Sequence, residues 1–119
     1  MDVKLDKWHK CQIDKEILKE LSKKSDLKGF QHVSVFFGLL ILTGTIAYIT
    51  WGTWWSVFWF LVYGNIYSFS NPLWHETGHK TAFKSKYLNE IFYYISSFMS
   101  NFEPIRWRYT HFVHHGNTY

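Results

Sequence analysis

The sequence predicts an all-α membrane protein: a transmembrane helical hairpin followed by cytoplasmic-side helices that carry two clusters of histidines. Three observations lead there. No Asp, Glu, Lys or Arg occurs from Gly29 through His75, far more than the roughly 20 apolar residues that cross a bilayer once. Aromatic residues make up 22% of the chain and concentrate between Phe30 and Tyr109 rather than alternating with charge. Five of the seven histidines fall in two groups, His75-Glu-Thr-Gly-His79 and His111-Phe-Val-His114-His115, both at or beyond the end of the uncharged stretch.

Residues 1–29 read as a cytoplasmic N-terminal segment with one amphipathic stretch, in which Ile13, Ile17, Leu18 and Leu21 recur at helical spacing among lysines and glutamates. It suits a helix lying on protein or on a membrane surface. Residues 30–119 form the membrane domain. A first span is expected near 33–50, where eighteen residues at 1.5 Å rise reach about 27 Å, and a second near 54–70. Trp51, Trp54 and Trp55 mark the far interface, as tryptophans do at headgroup level. Asn71-Pro72 predicts a helix that restarts at Pro72 and runs to about Lys84, because Asn caps well and proline is tolerated at the first helical position. Leu88 to Met99 is apolar but too short to span, so an interfacial or re-entrant helix is expected. Glu103-Pro104 repeats the start signal, and Gly116 predicts the stop.

Charge sets the orientation. The first 28 residues hold eight lysines against six acids, and the other basic residues, Lys80, Lys84, Lys86, Arg106 and Arg108, all follow the apolar stretch. The positive-inside rule then places both flanks of the hairpin in the cytoplasm and the Trp51-Gly52-Thr53-Trp54 turn outside. The net charge of +4 forms no stripe of the kind that binds nucleic acid, so no nucleic-acid partner is expected. The mean hydropathy of −0.19 averages the apolar stretch with a lysine-rich head and is no argument for solubility. The single cysteine, Cys11, has no internal disulfide partner, as suits a reducing compartment. The charged head also lacks the form of a cleavable signal peptide.

On a helix, residues three and four apart share a face, so His75 and His79 can converge, as can His111, His114 and His115. Neutral imidazole suits iron, zinc and copper. Taken alone, His75-Glu76-Thr77-Gly78-His79 satisfies the H-E-x-x-H pattern of a zinc peptidase, in which the glutamate is the general base. Such a site needs one further ligand and an open position for water, whereas five imidazoles are too many for one catalytic zinc. An all-histidine site for two ions uses them better, and iron held this way can activate dioxygen against an unactivated C–H bond. Glu76 is a candidate to orient a ligand histidine from the second shell, and Gly78 leaves room for a close approach beside His79. Arg106 and Arg108 read as residues facing lipid phosphates, Trp107 as a core or interface anchor, and His9 and His32 as bystanders.

The ordered pair of boxes, His75-x-x-x-His79 and His111-x-x-His114-His115, separated by a short apolar segment and preceded by a two-span hairpin, resembles the first two histidine boxes of the membrane fatty acid desaturase and hydroxylase superfamily. The flanking text, His75-Glu-Thr-Gly-His-Lys-Thr-Ala-Phe83 and Glu103-Pro-Ile-Arg-Trp-Arg108, is similar to a bacterial branch of it, and the resemblance covers about Phe30 to Tyr119. It implies an integral membrane oxidoreductase of lipid metabolism in which His75, His79, His111, His114 and His115 ligate a di-iron centre, two irons in the complete protein. It also implies a membrane lipid or acyl substrate, dioxygen, and an electron donor such as a cytochrome or ferredoxin. The reaction would be desaturation or, within the same superfamily, hydroxylation or ketolation of a lipid, alkane or carotenoid. A second hairpin and a third histidine box normally follow, so this chain is expected to be the N-terminal portion of such an enzyme. A membrane zinc peptidase and an inactive membrane fragment stand as the other readings.

Overall fold

A computed structural model describes residues 13–117; Cys11 and His9, like the rest of the first twelve residues, lie outside them, as does Tyr119. Among the described residues there are six helices and no strand: α1 (Lys15–Leu21), α2 (Asp26–Ile49), α3 (Trp54–Tyr67), α4 (Ser70–Gly78), α5 (Lys86–Met99) and α6 (Pro104–Asn117). The amphipathic stretch of the head forms α1, capped by the Asp14 carboxylate on the Glu16 N–H, and none of its residues is buried.

The first expected span is contained in a longer helix. Ser25 caps α2 by accepting from the Lys28 N–H, so α2 starts ahead of Gly29 and its 24 residues reach about 36 Å, enough for a hydrocarbon core of about 30 Å. Its buried positions, Gly29, Val33, Leu40, Thr43 and Ala47, are separated by intervals of four, seven, three and four. That is the seam of a coiled-coil-like packing, and α3 folds back along it: Tyr63 lies against Gly44 and Trp51 meets Phe60 edge-on at 5.7 Å. Small residues at such a seam let two backbones approach without a large apolar area between them. The outer faces remain apolar, with Val35, Ile41, Leu42, Tyr48, Val57, Phe58 and Leu61 at least half exposed. The hydroxyls are satisfied within their own helices, as when Thr43 Oγ1 donates to Leu39 O at 2.7 Å and Thr50 Oγ1 to Ile46 O at 2.7 Å. Gly52, at φ 83°, makes the sharp turn between α2 and α3.

The second expected span is shorter than its forecast of 54–70. Among the described residues α2 is the one helix long and apolar enough to cross a membrane, because α3 stops at Tyr67 after 14 residues, about 21 Å. Pro72 is the cause. It has no N–H to give the Ser68 carbonyl, and its ring crowds that carbonyl, which kinks a helix one turn upstream. Ser68 and Phe69 stay in the right-handed helical region, so the chain bends rather than restarts, and α4 begins at Ser70 ahead of the proline.

Helix α4 also ends early, at Gly78 instead of Lys84. Lys80 adopts φ 59°, and the Lys80 N–H donates to Thr77 O at 3.0 Å while the Thr81 N–H donates to Glu76 O at 3.0 Å. This pair of bonds is the Schellman termination. The connection that follows docks on the start of α2, where the Phe83 ring is fully buried against Phe30 and Phe92 at 5.5 and 5.1 Å. Asn89 holds the Phe83 backbone on both sides, accepting from its N–H at 3.2 Å and donating to its carbonyl at 2.9 Å. Asp26 accepts from the Ser85 N–H at 2.7 Å.

Helix α5 runs antiparallel to α4. It buries Asn89, Tyr93, Ser96 and Ser97 and turns Tyr87, Ile91, Tyr94, Ile95 and Phe98 outward. Its polar face is inside and its apolar face outside. Asn101, at φ 55°, terminates it in the same way that Lys80 terminates α4, with the Phe102 N–H on Ser97 O at 2.9 Å. Helix α6 starts where the sequence indicates: Pro104 is its first residue, and the Glu103 carboxylate accepts from the N–H groups of Ile105 and Arg106 at 3.0 and 2.6 Å. Gly116 does not stop it. The helix continues to Asn117, since Gly116 does not take a positive φ.

Candidate metal centre

Helix α4 carries His75 in its last turn and His79 at its C-cap, four residues apart and therefore on one face. Helix α6 presents His111 and His115 with the same spacing. The two pairs face each other. His79 Nε2 lies 3.2 Å from His75 Nε2 and 2.9 Å from His111 Nε2, and His111 Nε2 lies 3.0 Å from His115 Nε2. One ligand atom from each of the four falls within 4.8 Å of the others.

Packing behind the rings holds α6 in this register. Trp107, one turn before His111, stacks on the His111 ring at 4.3 Å and 15°, and also meets Trp74 at 3.7 Å between centroids. Trp74 in turn stacks on Phe102 at 4.4 Å. Gly78 makes this possible: a Cβ there would stand 3.1 Å from both the Trp107 and the Tyr93 rings. The close approach expected at Gly78 is thus made by two aromatic rings. Tyr93 donates its hydroxyl to Pro104 O at 2.5 Å, and the Arg108 guanidinium lies 4.0 Å over its ring.

A charged clasp ties the same three helices. Glu90 of α5 accepts from Arg108 Nη1 at 3.1 and 3.0 Å and pairs with Lys80, just after His79, at 3.3 Å. Burial alone would raise the Glu90 carboxyl, but the hydrogen bond and charge of Arg108, followed by those of Lys80, bring it below its usual value. Burial pushes His79 and His111 the other way from a gained charge, lowering both, and the neighbouring His75 and His115 add to the effect. These two rings therefore favour the neutral form, which is the form that binds metal.

The donor set fits a cation. An ion with metal–nitrogen bonds of about 2.1 Å holds adjacent donors roughly 3.0–3.4 Å apart, which the observed nitrogen spacings match. His79 and His111 each aim one Nε2 at two other rings, an arrangement in which cations could take up the converging lone pairs.

The structure gathers four of the five histidines singled out by spacing. His114 sits beside the group, its ring 6.2 Å from His111 and 5.9 Å from His115, because three residues from His111 is a different angle on the helix from four. Glu76 is exposed and lines a cavity against α2 together with His32; its backbone carbonyl caps α4 by accepting from the Thr81 N–H and hydroxyl. Trp107 is a core anchor as expected, but its stacking on His111 was not foreseen, and neither was the Glu90 clasp. The one available signal was the four-residue interval from Trp107 to His111.

The pattern of the family described as Fatty acid desaturase matches residues 49–119, more than half of the 119-residue chain and inclusive of both histidine clusters. No curated relative and no solved structure matches the chain.

Proposed function

Because the chain belongs to the fatty acid desaturase family, we propose that it carries the first part of a membrane lipid desaturase, with a histidine-held iron centre and fatty acyl chains as substrate. The observation that carries this reading is the meeting of His75 and His79 with His111 and His115 within 4.8 Å. His114, adjoining them, completes the five-histidine donor set, and the complete enzyme holds two irons. Bound iron supplies the oxidising chemistry that takes hydrogen from an unactivated C–H bond with dioxygen as oxidant.

His75, His79, His111 and His115 offer neutral nitrogens. Trp107 and the Glu90 clasp fix the α6 pair against the α4 pair. Helix α2 crosses the bilayer, and α3 with its kinked continuation into α4 returns to the same side, so that both flanks are cytoplasmic and the histidines stand at the membrane edge. The outward apolar face of α5 lies in that interface. Electrons come from a small cytochrome or ferredoxin.

The test is expression of the open reading frame that encodes this chain, with iron, a reductant and phospholipid, and analysis of the acyl chains by mass spectrometry. Oxygen-dependent loss of two hydrogens from an acyl chain, abolished by His79→Ala, is the expected result. Oxygen insertion in place of desaturation would make it a hydroxylase of the same superfamily. No oxygen-dependent lipid product from iron-loaded protein, or a product unchanged by His79→Ala, would overturn the reading.

A further inference from the structure

Helix α4 has a second functional face. Phe69, Pro72, Leu73 and Glu76, spaced three and four apart, line a half-open cavity of about 660 Å³ bounded on the other side by Val33, Phe36 and the start of α2. None of the four clustered histidines lines it. That volume lies within the roughly 300–1,000 Å³ of ligand sites, which combine an apolar lining with a few placed polar groups.

Its lining is divided by chemistry. The apolar part of the lining is Val33, Phe36, Phe69, Pro72 and Leu73. The polar part includes Lys23, Lys24, Lys28 and His32, and the one carboxylate in the lining is Glu76. Asp26, at the same end of α2, does not line the cavity and is engaged with the Ser85 N–H. Lys24 is held in place by its hydrogen bond to Lys80 O at 2.8 Å, while Lys23 and Lys28 are exposed beside it. Three ammonium groups against one carboxylate call for an anionic head, and the apolar lining at the start of the long apolar helix calls for a chain attached to it.

We propose that this cavity is a discrete binding site for an anionic phospholipid, its phosphate on Lys23, Lys24 and Lys28 and one acyl chain against Val33, Phe36 and Phe69. Lysines near a membrane attract anionic lipid diffusely; a built cavity retains one molecule. The site is separate from the iron-binding proposal and does not depend on it, since lipid is measured with no metal present.

The experiment is native mass spectrometry of the chain released from nanodiscs of mixed phosphatidylglycerol and phosphatidylcholine. The expected result is one retained phosphatidylglycerol, favoured at least fivefold over phosphatidylcholine. The double variant Lys23→Ala with Lys28→Ala loses that preference, while Lys84→Ala with Lys86→Ala, which removes equal charge outside the cavity lining, keeps it. Soluble glycerol phosphate tests the source of the phosphate: failure to displace the lipid at millimolar concentration supports a lipid site, and displacement there would overturn the role given to the apolar lining. Equal effects of the two lysine pairs would show diffuse attraction and overturn the proposal.

Discussion

Gly29 and Gly38 lie on the same helix and set up a matched pair of substitutions. Alanine in a helix interior is favoured over glycine by about 1 kcal/mol. At Gly38 a Cβ meets nothing within 4 Å, so Gly38→Ala should be neutral or stabilising by up to about 1 kcal/mol. At Gly29 the Cβ would fall on the Phe83 ring and 2.7 Å from the Ala82 carbonyl oxygen. The Phe83 ring is fully buried between Phe30 and Phe92 and has nowhere to turn, and the carbonyl is backbone. Overpacking of this kind costs about 1–3 kcal/mol, which leaves Gly29→Ala a net loss of up to about 2 kcal/mol after the helical gain. Unfolding of each variant in detergent micelles, followed by tryptophan fluorescence and by protease cleavage between residues 80 and 86, reads the difference. Gly29→Ala as stable as Gly38→Ala, with the connection equally resistant to protease, would refute the docking of Phe83 on α2.

Three further outcomes follow from the same geometry. Replacing Trp107 by leucine removes the ring stacked on His111 and should weaken metal binding roughly 10-fold, as loss of outer-shell support does, without loss of helix content; unchanged affinity would separate Trp107 from the site. Glu90 titrates below its ordinary value of 4.5 in the folded chain, so its contribution is fully present above pH 4.5 and is lost as pH falls through the lower, folded value. The stability gap between wild type and Glu90→Gln should accordingly close on acidification, and a gap constant with pH would count against the Arg108–Glu90–Lys80 clasp. Reporter fusions at residue 52 and after residue 117 should fall on opposite sides of the membrane, and a shared side would end the hairpin topology.

Much of this arrangement was legible in the residues, and the parts that were not have identifiable physical causes. The i, i+4 spacing of His75 with His79 and of His111 with His115 is local and survives into the structure because His111 and His115 sit within α6 and the C-cap His79 keeps right-handed helical backbone. Glu103-Pro104 likewise acts locally and starts α6. Pro72 misleads because the residues before it hold helical backbone, so the proline bends an existing helix instead of opening one. The early end of α4 has little local signal: lysine is a poor left-handed residue, and Lys80 adopts that conformation where its neighbours Ala82 and Phe83 are drawn onto Gly29, far away in sequence. The meeting of Trp107 with Trp74 across from Gly78 depends on tertiary contact, which spacing alone does not reveal.

The central claim is that the two histidine pairs make one metal site, and equilibrium binding of Fe(II) under anaerobic conditions tests it most directly. Wild type, His79→Ala and His32→Ala are compared at one pH, His32 being a histidine of α2 outside the cluster. The account predicts that His79→Ala weakens iron binding at least roughly 10-fold, since it removes the ring that joins His75 to His111, while His32→Ala binds as wild type does. Equal binding by all three proteins would contradict it.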